Sequence, residues 1–162
     1  MSICFNLYVF VINSAQLLYY VNNGDFDKVK ELVDKNKSIW VSDKRGRNVL
    51  QVAAKECHFN IVKYIIEKRW SELRLQDINR AIDEAYTALN KLHNKRRKLI
   101  VEVADLMKDP KLFKAGNTKK LDKEADIKNA QLQACRKKIW DCQDMIKYLK
   151  MVRRKKIRLQ KR

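Results

Sequence analysis

Three glycines and one proline are all the chain breakers that 162 residues contain. A sandwich or barrel of many short strands needs far more turn residues, so an all-β fold is excluded and long helices are expected. Cysteine is sparse too: Cys4, Cys57, Cys135 and Cys142 are scattered without close pairing. That excludes the dense disulfide framework of a small secreted domain and points to a reducing, intracellular compartment, cytoplasmic or nuclear. The apolar stretch from Met1 to Ile12 is shorter than the roughly 20 residues a membrane-spanning helix needs, so no transmembrane span is expected. No basic residue precedes it and no clean small-x-small site follows. It therefore reads as a buried N-terminal cap in preference to a cleaved signal peptide. Catalytic spacings are missing as well: there is no Walker loop, no G-x-G-x-x-G, no H-E-x-x-H and no C-x-x-C. Nothing sets a nucleophile or an acid–base pair by spacing, so neither an enzyme nor a resident cofactor is expected.

What is present is charge. Charged residues make up 35% and hydrophobic residues 46%, the balance of a folded protein with a heavily charged surface. The formal net charge is +18. Residues 1–74 carry 12 basic and 8 acidic residues, and residues 75–162 carry 25 and 11, so the excess lies in the second half. That half is matched to a negatively charged partner: an acidic protein, nucleic acid or an anionic membrane surface.

The sequence also repeats. A shift of 33 places Leu17 on Leu50, Gly24 on Cys57, Phe26 on Phe59, Val29 on Val62, and Leu32 and Val33 on Ile65 and Ile66. Each copy reads as a short apolar helix, a tight turn and a second helix with apolar residues at i, i+3 and i+4. No third copy appears in the same register, because the next shift puts Asp83 at the leucine position. Residues 43–62, DKRGRNVLQVAAKECHFNIV, resemble the ankyrin repeat, whose pattern is D-x-x-G-x-T-P-L-H-x-A-A-x-x-G-H-x-x-I-V. Asp43 to Gly46 supplies turn chemistry, with Gly46 free to take positive φ. Asn48 stands at the family's threonine, where it can cap the helix that follows. Val49, Gln51 and Cys57 depart from the pattern's Pro, His and Gly, and the first copy is weaker, with Tyr20 and Val21 where a small pair belongs. The resemblance implies a non-catalytic interaction or scaffold protein. Its contacts would come from the turn tip and first-helix face: Lys44, Arg45, Arg47, Gln51 and Lys55. That group is electropositive, so an acidic partner is expected.

From about residue 76 the spacing becomes a strict alternation of four and three, the heptad signature. One seam is Ile78, Ile82, Ala85, Leu89, Leu92, Arg96, Leu99, Val103 and Leu106. The other is Leu121, Ala125, Lys128, Leu132, Cys135, Ile139, Cys142, Ile146 and Leu149. Asp109-Pro110 ends the first helix and Gly116-Asn117 marks a turn. The two helices should fold back as an antiparallel hairpin. Apolar residues off the seam, Ile100, Trp140, Met145 and Val152, widen the stripe for a third surface, either the repeats or a second copy. If the hairpin folds near residue 114, His93 lies opposite Cys135. Cys135 and Cys142 lie about 10 Å apart on one helix, too far to share a zinc ion, so no metal site is expected.

The sequence thus predicts an all-α fold: two ankyrin-type helix-turn-helix repeats, then a long antiparallel coiled-coil-like helical hairpin. Its parts are an apolar segment 1–12, repeats 13–74, a hairpin 75–152 with its loop at about 109–119, and a basic tail 153–162. The tail contains Arg153, Arg154, Lys155, Lys156, Arg158, Lys161 and Arg162, and no acidic residue lies after Asp144. Such a run is expected to fray unless neutralised. It and the hairpin define the alternative function, nucleic-acid binding. The hairpin also offers a surface for homodimerisation.

Overall fold

The computed structural model describes residues 16–35, 38–108 and 118–161. The predicted N-terminal cap, most of the 109–119 loop and Arg162 lie outside the described residues. Among the described residues there are six helices: α1 (16–23), α2 (Phe26–Asp34), α3 (Val49–Lys55), α4 (Phe59–Lys68), α5 (Leu75–Lys108) and α6 (Thr118–Gln160). The only pairing of extended residues among them is an isolated antiparallel bridge between Ser42 and Asn48.

The two predicted repeats are α1–α2 and α3–α4. Gly24 turns the chain between α1 and α2 with φ 74°. A Cβ there would also come within 2.5 Å of the His58 ring, so the position excludes a side chain twice over. Asp25 then caps α2, accepting the backbone N–H of Lys28. Asn48 caps α3 in a reciprocal box with Gln51, as expected of a residue at the family's threonine. Cys57 occupies the turn before α4 with φ 61°, a left-handed conformation that the pattern's glycine adopts without strain. The apolar positions of the 33-residue unit face inward: Leu17, Val21, Val29, Val33, Leu50, Ala53, Ala54, Ile61, Val62, Ile65 and Ile66 are all buried. Each of the larger ones contributes roughly 1.5–3 kcal/mol against leaving it in water.

A third helix pair extends this stack. Its first helix is the opening of α5, where Ile78, Ala81, Ile82 and Ala85 are buried. Its second is the end of α6, where Cys142, Met145, Ile146, Leu149 and Val152 are buried. The contacts of the earlier pairs recur one by one. The Phe26 ring meets Tyr64 edge-on at 5.6 Å, and Phe59 meets Tyr148 at 5.6 Å. Tyr64 donates to Asp34 Oδ1 at 2.6 Å. Tyr148 lies near Glu67, the residue 33 positions after Asp34. Gly24 abuts His58, and its counterpart Cys57 abuts Cys142. Tyr64 to Tyr148 and His58 to Cys142 are both steps of 84, which exceeds one 33-residue repeat by 51. The third pair is therefore interrupted between its two helices. A uniform shift of 33 misses it, because the second helix arrives late and the first is one residue out of register, with Ile82 in place of Asp83 at the buried position.

The chain accordingly divides into two compact units at Ala88 and Asp141, inside the predicted 75–152 hairpin. The first unit comprises the three stacked pairs, and the second is the insertion Leu89–Trp140. Within the second, Leu99, Leu132, Cys135 and Ile139 form a core against which Leu89 and Leu92 pack. The Cys135 thiol donates to the Leu92 carbonyl at 3.4 Å, and Lys128 pairs with Glu102. The facing residues rise in number on one helix as they fall on the other, which is the antiparallel hairpin expected. Of the two polar seam residues, Lys128 is thus neutralised, whereas Arg96 keeps a buried Nε without a hydrogen-bond partner. Of the off-seam residues, Met145 and Val152 are buried in the first unit, while Ile100 and Trp140 remain 45% and 69% exposed.

The basic end is helical. α6 runs to Gln160, and two of its cations find an aromatic face. Lys155 and Lys156 lie 5.4 and 4.8 Å from the centre of the Trp70 ring, and the Lys156 ammonium donates to the Trp70 carbonyl at 2.9 Å.

Candidate partner-binding surface

The turn before α3 projects as a finger whose hub is Asp43. Its carboxylate accepts the backbone N–H groups of Arg45 and Arg47 at 2.9 and 3.0 Å, and the Arg47 guanidinium Nε at 2.8 Å. Gly46, at φ 73°, closes the turn by donating its N–H to the Asp43 carbonyl at 2.9 Å. Burial opposes ionisation of Asp43, but the bonds from Arg47 and from the two backbone N–H groups outweigh it and hold the carboxyl below its ordinary range. Arg47 is held in turn by Glu84 of α5 at 3.6 Å.

The five expected contact residues therefore separate into two sets. Lys44 and Arg45 are exposed at the finger tip. Arg47 is engaged with Asp43 and Glu84, Gln51 is 3% exposed within the capping box, and Lys55 pairs with Glu56. These three shape the finger and its base.

Beside the finger lies a cleft of about 620 Å³, lined among others by Trp40, Ser42, Gln51, Arg74, Asp77 and Arg80. The Arg74 guanidinium stands 5.5 Å from the centre of the Trp40 ring. Asp77, only 2% exposed, accepts from the Arg74 backbone N–H at 3.2 Å and from the Asn48 amide at 3.3 Å. It thereby fastens the start of α5 to the cap of α3. Trp40, Arg74 and Arg80 were not expected from the sequence, since the 33-residue alignment gives those positions no role; the one available signal was a tryptophan directly before the turn.

The other candidate group, at the end of α6, is arranged along a helix. Arg154, Lys155, Arg158 and Lys161 are exposed, and Lys156 and Arg153 are partly buried. Among the described residues no group of three His, Cys, Asp or Glu side chains is placed to hold a metal ion. The Cys57 sulfur beside Cys142, together with burial, pushes the Cys142 thiol far above its usual value, so it is an inert packing group. His58 lies 3.3 Å from the Asn22 carbonyl oxygen, tying one repeat to the next. No helix of the described residues is long and apolar enough to cross a membrane.

Stacked helix pairs with a projecting turn define a helical-repeat protein of the solenoid class. The family model of ankyrin repeats, three copies, matches residues 17–103, more than half of the sequence, and the chain belongs to the ankyrin-repeat family. The match covers the first two helix pairs and continues along α5 past Ala88, where the first compact unit leaves that helix. No curated protein and no solved structure matches the chain.

Proposed function

We propose that this chain is a non-catalytic interaction protein whose finger and adjoining cleft receive an acidic segment of a protein partner. Ankyrin repeats serve protein–protein interaction, and one observation carries the finer reading. Lys44 and Arg45 at the finger tip are exposed, and so are Arg74 and Arg80 on the wall of the cleft. Of the two carboxylates lining the cleft, Asp77 is buried against Arg74 and Glu72 is paired with Arg69. With Arg74 held by Asp77, the cations of Lys44, Arg45 and Arg80 remain to attract a negative segment, and Trp40 supplies an apolar wall. Rim charges add modestly to affinity one at a time, up to about 1 kcal/mol each, so the effect is read on a multiple reversal.

The test is affinity capture with the wild-type chain and with a Lys44→Glu/Arg45→Glu/Arg80→Glu variant, followed by identification of the retained proteins. The reading expects partners that are depleted at least tenfold by the triple reversal. They should be unaffected by Lys30→Glu/Lys63→Glu, two exposed positions on α2 and α4. Equal retention of every partner by both variants would overturn it.

A further inference from the structure

The insertion Leu89–Trp140 carries its charge unevenly. Residues 102–126, toward the tip of the hairpin, hold six acidic and six basic residues. The remaining segments, 89–101 and 127–140, hold nine basic residues and no acidic one. The Cys135–Leu92 bond sets these two segments side by side, so their cations line the same stretch of the hairpin. Lys91, Lys95 and Lys98, at i, i+4 and i+7, form an exposed stripe on α5 that rises about 10 Å along the axis. Arg136, Lys137 and Lys138 are exposed on α6. Only Lys128 among the nine has an ion-pair partner among the described residues, and the buried Nε of Arg96 has none of any kind. A band of like charge destabilises the hairpin that carries it, and a polyanion relieves that repulsion.

Trp140 lies within the same band and is 69% exposed. Its neighbours one and two turns back on the helix are Arg136, Lys137 and Gln133, all exposed. Ahead of it the exposed Asp141 and Asp144 end the basic band, and one aromatic ring beside cations is not the continuous apolar stripe that enters a bilayer. A positively charged track with an aromatic platform is the chemistry that binds unpaired bases, phosphates on the cations and a base on the ring.

We propose that the charged base of this hairpin binds single-stranded nucleic acid, with Lys91, Lys95, Lys98, Arg136, Lys137 and Lys138 on the phosphates and Trp140 stacked on a base. The surface is separate from the finger, and it stands or falls independently of the reading made for that site.

The experiment titrates the full chain with a fluorescein-labelled 20-nucleotide single strand. The duplex of the same sequence, poly-glutamate, and phosphatidylserine/phosphatidylcholine vesicles are measured in parallel. The single strand should bind best, with quenching of tryptophan emission and affinity falling steeply with salt. Lys91→Glu/Lys95→Glu/Lys98→Glu should lower the salt slope by about 2, at roughly 0.7 per phosphate contact. Trp140→Ala should weaken binding roughly tenfold, and Trp140→Phe should restore most of that loss while abolishing the quench. Lys108→Glu/Lys123→Glu, in the charge-balanced outer part, should leave affinity within twofold, and circular dichroism confirms that each variant is folded. Four outcomes would each overturn the proposal. These are tighter binding to vesicles or poly-glutamate than to the single strand, equal binding to duplex with no effect of Trp140→Ala, equal losses from the base and outer reversals, and no binding at low salt.

Discussion

Tyr148 stands to Phe59 as Tyr64 stands to Phe26: each pair meets edge-on with ring centroids 5.6 Å apart. The first tyrosine lies one helix pair further along the chain in the ordinary way, and the second is reached only after the insertion. An aromatic pair of this geometry contributes about 0.5–1.5 kcal/mol beyond the area it buries. A double-mutant cycle on Phe59→Leu and Tyr148→Leu, read by urea denaturation, should return a coupling energy in that range, as should Phe26→Leu with Tyr64→Leu. A coupling near zero for the Phe59 pair alone would mean that α6 does not complete the stack.

The interruption makes a second prediction. A chain in which residues 89–140 are replaced by a short glycine-containing turn should still fold. It should melt in one cooperative transition, with the helical signal of the first unit retained. Loss of cooperative melting would show that the insertion is needed to bring α5 and α6 together.

Much of this was legible in the residues and some was not, for reasons that differ by element. Gly46, Asn48 and Cys57 announced their turn and cap because those roles are local, decided within four residues of sequence. The heptad seams gave the hairpin because Leu92, Leu99, Leu132 and Ile139 obey one spacing throughout. The third helix pair was hidden because its partners are joined by contact and not by sequence proximity. Met145 and Leu149 fit the heptad seams and their flanks as well as they fit the repeat. Charge alone could not separate the contact residues: Arg47 and Arg45 look alike in the sequence, yet one is locked to Asp43 and Glu84 and the other is exposed. Trp40, Arg74 and Arg80 are brought to one cleft only by the packing of α5 against the finger.

Cys57 sits at φ 61°, where a side chain costs about 1 kcal/mol relative to glycine. Cys57→Gly should therefore raise stability by about that amount in chemical denaturation. Cys57→Val, branched at Cβ, should lower it. A destabilised glycine variant would show that the contact with Cys142 outweighs the backbone strain.

Asp77 accepts from the Arg74 backbone N–H, the Arg74 guanidinium and the Asn48 amide. Asp77→Ala should cost about 2 kcal/mol, since these donors lose a charged acceptor at a buried site. Hydrogen exchange should localise the loss to the start of α5 and to the α3 cap. Protection unchanged at both places would contradict that role.

The Asp43 carboxyl titrates below its ordinary range, so the sign of its effect on stability is fixed. Its contribution is complete above the unfolded value of about 3.9 and disappears as pH falls through the lower folded value. Carboxyl NMR titration should find Asp43 shifted down in the wild-type chain and returned toward normal in Arg47→Ala. Amide exchange of residues 44–46 should accelerate in acid over the same interval. An Asp43 titration indifferent to Arg47→Ala would remove the finger's hub.

A solenoid ordinarily assembles by neighbours, each unit closing on the one just made. Here the partner of Phe26 lies 38 residues downstream, whereas that of Phe59 lies 89 downstream. The added loop closure costs less than about 1 kcal/mol at equilibrium, but it raises contact order, and folding rate falls as contact order rises. During synthesis Cys57, Phe59 and Ala85 wait for Cys142 and Tyr148 of α6. The stack is thus finished only by the segment that begins at Asp141, and a product that stops before it would present an unclosed, sticky edge.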